Sequence, residues 1–193
     1  MVGYKRAIVL GNGENRRHVD IPDDCDVWGC NYIYKENINL DFLVATDVHT
    51  QHNIYCSKYP VENTCYFLGW DVLDSDDVVP GIIASTGAIS HENEYTEYGV
   101  VVGGDSNSVY FTYLQKDDNV IPVKESELPM EFSSGSLAMY LAGKSGKYNE
   151  IILAGFGDDE HIYEENNVPN KEVWEKEREY IIRYFSDMKW RFI

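Results

Sequence analysis

The chain is poor in cations. It has 16 Lys and Arg against 33 Asp and Glu, for a net charge of −17. That shortage argues against direct binding of a nucleic-acid backbone, whose affinity comes from Lys and Arg neutralising phosphates. It does not exclude a small phosphorylated ligand, because backbone N–H groups hold a phosphate locally whatever the global charge. Long apolar runs are missing too. None approaches the ~18 residues of a membrane span, so no membrane partner is expected. The opening "MVGYKRAIVL" lacks the apolar stretch and cleavage site of a signal peptide, which makes cytoplasmic residence the expectation. Cys25, Cys30, Cys56 and Cys65 form no C-x-x-C pair, and no His stands at zinc-finger spacing. Free thiols in a reducing compartment are expected, rather than a structural metal site.

Several motifs are absent as well. There is no G-x-S-x-G elbow and hence no hydrolase nucleophile of that kind. No G-K-[ST] follows a glycine-rich loop, and "GNGENR" has Arg16 where a dinucleotide fingerprint has its third Gly. No internal repeat stands out.

What is present is a core. Of the 193 residues, 44% are hydrophobic, enough for one α/β domain over residues 1–193 carrying an insertion. Short runs that are apolar on both faces predict buried parallel strands at 6–10, 25–32, 40–47, 64–70 and 150–154. Helices are expected at 133–144, opened by a Ser N-cap, and at 171–188, with "KWRFI" as a last strand. Residues 71–132 are rich in Gly, Ser, Tyr and Asp and read as an irregular β-rich insertion or lid. Strand, glycine turn and helix in alternation predict a doubly wound, mainly parallel, Rossmann-like sheet.

In such sheets ligands bind outside the carboxyl ends of the strands. The residues following each strand are therefore the candidates. They are Gly11, Asn12 and Gly13 after the first, Asn31 after the second, and Thr46 and Asp47 after the third. Ser133, Ser134 and Gly135 stand before the central helix. Glycines permit a tight turn and close approach to the backbone. An Asn amide both donates and accepts, which suits a phosphate or a sugar hydroxyl. A turn-forming role for Asn12 and plain capping for the serines are the competing readings. "GDDEH" adds Asp158, Asp159 and His161, able to hold Mg²⁺ or to act as a base. Its competing reading is a solvated acidic loop.

"VLGNG", "IPDDCDVWGCNYIYKE" and "SSGSLAMYLAGKSGKYNEIILAGFGDD" together resemble the bacterial CMP-sugar sialyltransferases and the related hydroxymethylpterin pyrophosphokinase-like proteins. The same order is similar to small proteins of tailed phages. The resemblance covers residues 7–50 and 133–160. It implies a nucleotide or nucleotide-sugar ligand, with Asn12 and Asn31 on its phosphate and ribose. It puts Ser133, Ser134 and Gly135 on the nucleoside, and Thr46 or Asp47 at a further polar position. Here the chain also departs from the family. No His stands shortly before the last helix; the nearest is His161. The turn reads Gly-Phe-Gly-Asp, which displaces Asp158 by one. Tyr148 and Tyr163 are loose counterparts of the paired tyrosines that assist the leaving phosphate.

These residues support a nucleotide-binding transferase, glycosyltransferase-like or diphosphotransferase-like. Its catalytic candidates are His161 and Asp158, with His49 behind them. The alternatives are a non-catalytic protein that sequesters a nucleotide in the cytoplasm of a phage-infected host, and an interaction protein with a relic site. Mg²⁺ and homo-oligomerisation are left open.

Overall fold

The computed structural model describes residues 5–70, 100–104, 109–113, 119–157, 161–162 and 171–193. Two compact units divide the chain, residues 1–46 with 130–193 and residues 47–129.

In the first unit β1 (Arg6–Leu10) is central. It runs parallel to β2 (Cys25–Cys30) on one side and to β8 (Glu150–Ala154) on the other, with Ile8 opposite both Val27 and Ile152. β3 (Phe42–Ala45) continues from β2, and β9 (Lys189–Phe192) from β8, both parallel. The chain thus builds outward from β1 to one side and later to the other. This is the doubly wound, Rossmann-like α/β arrangement, and its switch of direction lies between β1 and β8. The runs expected at 6–10, 25–32, 40–47 and 150–154 supply neighbouring strands of this sheet.

The sheet is apolar on both faces because both are covered. α2 (Ser134–Lys144) packs on β1, β2 and β3, and α3 (Lys171–Tyr184) packs on α2. Ala and Leu with one Met make α2 a good helix former. Gly143 leaves room for the Phe185 ring, which a Cβ would approach to 2.8 Å. Phe132, Tyr140 and Phe185 pack together there, with Tyr140 5.2 Å from Phe132 and 5.6 Å from Phe185. A second cluster joins Ile8, Leu10, Val27, Ile33, Ile152 and Ala154 to the partly buried Val19, Ile21, Ile38 and Leu40. It is roofed by the connections after β1 and β2, which contain the short 3-10 turns Glu14–His18 and Asn31–Lys35 rather than α-helices.

The second unit holds α1 (Val48–Cys56), β4 (Thr64–Leu68) parallel to β7 (Val120–Val123), and an antiparallel hairpin of β5 (Val100–Gly104) and β6 (Val109–Tyr113). The hairpin lies in the stretch expected to carry short antiparallel strands. Residues 71–99, 105–108 and 114–118, most of that stretch, lie outside the described residues. α1 was not anticipated, since "VHTQHNIYC" has little helical periodicity. It forms with Asp47 as its N-cap, accepting from Thr50 N at 2.8 Å and Thr50 Oγ1 at 3.0 Å. Among the described residues no helix is long and apolar enough to cross a membrane.

Candidate functional site

At the carboxyl edge of the first unit the turn after β1 meets the turn after β8. Gly11 N donates to Ala154 O at 2.7 Å, and Gly13 N to Gly155 O at 2.9 Å. A Cβ on Gly11 would collide with Gly155 O, one on Gly13 would come within 2.8 Å of it, and one on Gly155 within 2.7 Å of Gly11 O. Gly155 also has a left-handed φ of 79°. The first glycines of "GNG" therefore let two turns touch. Their N–H groups are committed to that contact and are not left for a phosphate. The same turn gathers His161. Its backbone bridges to Gly13, and Ile162 N donates to Asn12 O at 2.9 Å. The His161 ring lies 6.2 Å from that of Trp174, with its Nδ1 shut off from solvent. Asp158, Asp159 and Tyr163 lie outside the described residues.

The asparagines differ from the glycines. Asn12 is 7% exposed, and its Oδ1 accepts from the Cys30 thiol at 3.6 Å. Burial pushes the Cys30 thiol up to about 12, so it stays a donor at neutral pH. The single thiol proton is shared between Leu10 O, at 3.5 Å, and Asn12 Oδ1, and its share on Oδ1 turns Nδ2 away from Cys30. Asn31 directly follows Cys30, at the carboxyl end of β2, with a left-handed φ of 52°. Asn adopts that region more readily than most residues. Its Oδ1 is shut off from solvent and has no hydrogen-bond partner among the described residues, and the same holds for Oδ1 of Asn15. Burying an acceptor in this way costs about 1–3 kcal/mol.

The start of α2 is arranged in the opposite way. Ser133 is its N-cap by backbone conformation, yet its side chain makes no capping bond. Ser133 Oγ donates to Glu177 of α3 at 2.6 Å, and Ser133 N reaches both Glu177 oxygens at 3.2 Å. The Glu177 carboxylate, 3% exposed, is thus the anion at the positive end of α2. Ser134 Oγ accepts from Thr46 N at 3.0 Å and shares a 2.8 Å bond with Thr46 Oγ1. Those bonds tie the end of β3 to α2. A Cβ on Gly135 would sit 3.4 Å from the Phe156 ring and 4.0 Å from Cys30 Sγ, which brings the head of α2 near the asparagines.

Two expected groups lie elsewhere. Tyr148 precedes β8, so it stands at the amino edge of the sheet. It receives a bond from Trp28 Nε1 at 3.2 Å and donates to Asp26 Oδ2 at 2.7 Å. Burial, and then the Asp26 bond, push its hydroxyl well above the usual tyrosine range. It is a buried structural donor, far along the strand from the turn that would hold a leaving phosphate. His49 is exposed on α1, in the second unit.

Arg16 and Glu36 were missed by sequence reasoning. Arg16, whose side chain is 2% exposed, forms a two-pronged pair with Glu36 at 2.7 and 2.6 Å. The signal was in the sequence, as the Arg that replaces the third Gly. Among the described residues no group of His, Cys, Asp and Glu could hold a metal ion. Comparison of the chain with family models, with curated proteins and with solved structures finds no match.

Proposed function

We propose that the first unit binds a nucleotide or nucleotide sugar at the carboxyl edge of its sheet, around Asn12 and Asn31, and transfers a sugar or diphosphate group from it. One observation carries this reading. Two asparagines follow the strand ends: the Asn12 amide meets the Cys30 thiol, and the buried Oδ1 of Asn31, the residue after Cys30, lacks a donor among the described residues. A ribose hydroxyl would supply that donor once the turn after β2 yields to admit it, and the Asn12 amide nitrogen suits a phosphate oxygen. The committed hydroxyls of Ser133 and Ser134 shift the ligand toward the asparagines and away from the serines.

His161 is the candidate base, since its backbone is bonded beside Gly13. General-base help is worth about 10²–10⁴ in rate. His161→Ala should then cost transfer rate while sparing nucleotide affinity. A second reading is favoured by the burial of His161 Nδ1 against Trp174, namely a binder that sequesters a nucleotide without turning it over, as a phage protein would in its host. Thermal shift across nucleotides and nucleotide sugars tests the shared claim, because a ligand stabilises by RT ln(1 + [L]/Kd) even without turnover. Retention of an unconsumed nucleotide over hours selects the binder. Stabilisation by none of them refutes both readings.

A further inference from the structure

A cavity of about 570 Å³ opens in the first unit among the connections that follow β1 and β2. Its walls are Leu10, Val19, Ile21 and Ile38, with Arg16, Arg17 and Glu36 as the polar lining. The volume falls within the roughly 300–1,000 Å³ of small-molecule pockets, which pair apolar walls with a few polar groups. Leu10 belongs to the buried cluster of the sheet, whereas Val19, Ile21 and Ile38 pack on that cluster and are only partly buried. An apolar group that enters the cavity takes more of these three side chains out of water, and such burial is the main favourable term in most association.

The charges lining the cavity run against those of the chain. Two cations and one anion give a local balance of +1, in a chain of net charge −17. Arg16 and Glu36 are engaged with each other in the two-pronged pair at 2.7 and 2.6 Å, so together they form a neutral wall. The unbalanced charge belongs to Arg17. It pairs with Glu14 at 3.3 Å, and both side chains are about half exposed. An exposed pair of this kind is screened by water and salt and holds its partners weakly. A guanidinium also has five N–H donors and serves more than one acceptor. The lining therefore suits a ligand with an apolar body and one anionic end.

We infer that this cavity binds a small anionic amphiphile, such as a medium-chain carboxylate. Its apolar body lies against Leu10, Val19, Ile21 and Ile38, and its anionic head reaches Arg17. A cationic amphiphile meets Arg17 as a like charge, and a small hydrophilic anion leaves the walls wet. The site uses neither Asn12 nor Asn31, so it stands or falls apart from the nucleotide reading.

Calorimetry with octanoate, octylammonium and acetate tests it on the full chain. Wild type should bind octanoate, and octylammonium at least about tenfold more weakly, because a charge-assisted hydrogen bond is replaced by a like-charge contact. Acetate should give no measurable heat. Ile38→Trp fills the cavity without touching the charged groups, and Val19→Phe repeats the test from another wall should the first variant not fold. Either should weaken octanoate binding by about tenfold or more. Arg17→Glu should reverse the preference, so that octylammonium binds more tightly than octanoate. Nuclear Overhauser contacts in wild type should join octanoate methylenes to the methyls of Leu10, Val19, Ile21 and Ile38. Octylammonium bound as tightly as octanoate, octanoate affinity unchanged in a folded variant with the filled cavity, or no binding of octanoate by wild type overturns the amphiphile site. None of these results bears on the nucleotide reading, which the thermal shift with nucleotides decides.

Discussion

Two stretches at the carboxyl edge look equally promising as sequence and differ as structure. "SSGS" opens a helix, and its hydroxyls are all engaged inside the protein. Ser133 bonds Glu177 and Ser136, and Ser134 bonds Thr46. The asparagines after β1 and β2 are held loosely. Asn12 meets a thiol at 3.6 Å, and the Asn31 oxygen meets no donor among the described residues. What separates a cap from a binding group is the partner that the fold provides for it. A thiol is a weak donor, so Asn12 contributes little to stability and stays available to a ligand.

The widest contrast should come from Glu177→Ala. It removes the anion that takes three bonds from Ser133 at the head of α2. A hydrogen bond to a charged group contributes about 1.5–3 kcal/mol, so the loss of stability should be about 3 kcal/mol or more. Chemical denaturation measures it, with nucleotide affinity little changed. An unaltered midpoint would mean that the start of α2 is not structural. Asn12→Ala should do the reverse. It should weaken nucleotide binding by about 1–3 kcal/mol while hardly moving the melting temperature. An unchanged affinity returns Asn12 to turn formation.

Much of the first unit was legible in the sequence because its strands are buried on both faces and therefore read as plain apolar runs, as in "AIVL" and "IILA". The asparagines were legible by position, since a parallel sheet sends each strand's carboxyl end to the same edge. The partners were not. Nothing in the sequence links Glu177 to Ser133, 44 residues apart. Nor does spacing show that Gly155 fills the space beside Gly11, so the glycines looked like room for a ligand. α1 was missed because its formation depends on the Asp47 cap and on burial of Ile54 and Tyr55, and not on an amphipathic pattern.

Cys30 gives a smaller test of the same contrast. Cys30→Ala removes the donor that orients the Asn12 amide, so affinity should fall a few-fold, less than in Asn12→Ala. Its buried thiol, protonated up to about pH 12, should resist iodoacetamide at pH 8 until the protein unfolds. Cys25 and Cys56 are partly exposed, so the label is mapped by residue, and rapid alkylation of Cys30 itself in the folded protein would contradict the geometry.

The smallest effect lies at the amino edge. Burial works to raise the Asp26 carboxyl, but the bonds from Lys5 and Tyr148 outweigh it and hold it below the usual range. A depressed carboxylate stabilises above its unfolded value of about 3.9, and the contribution is lost as pH falls through the lower folded value. The melting-temperature gap between wild type and Asp26→Asn should be full at neutral pH and close below about pH 4. A gap independent of pH would deny the ion pair any role.

The central claim is that the asparagine side of the edge holds a nucleotide and the serine side holds the fold. Calorimetric titration of nucleotides into wild type, Asn12→Ala and Ser134→Ala tests it most directly, with unfolding midpoints taken on the same samples. The account predicts a loss of affinity of about fivefold or more in Asn12→Ala at an unchanged midpoint, and a lowered midpoint at near wild-type affinity in Ser134→Ala. Equal affinity in wild type and Asn12→Ala, with the loss appearing in Ser134→Ala instead, would contradict it.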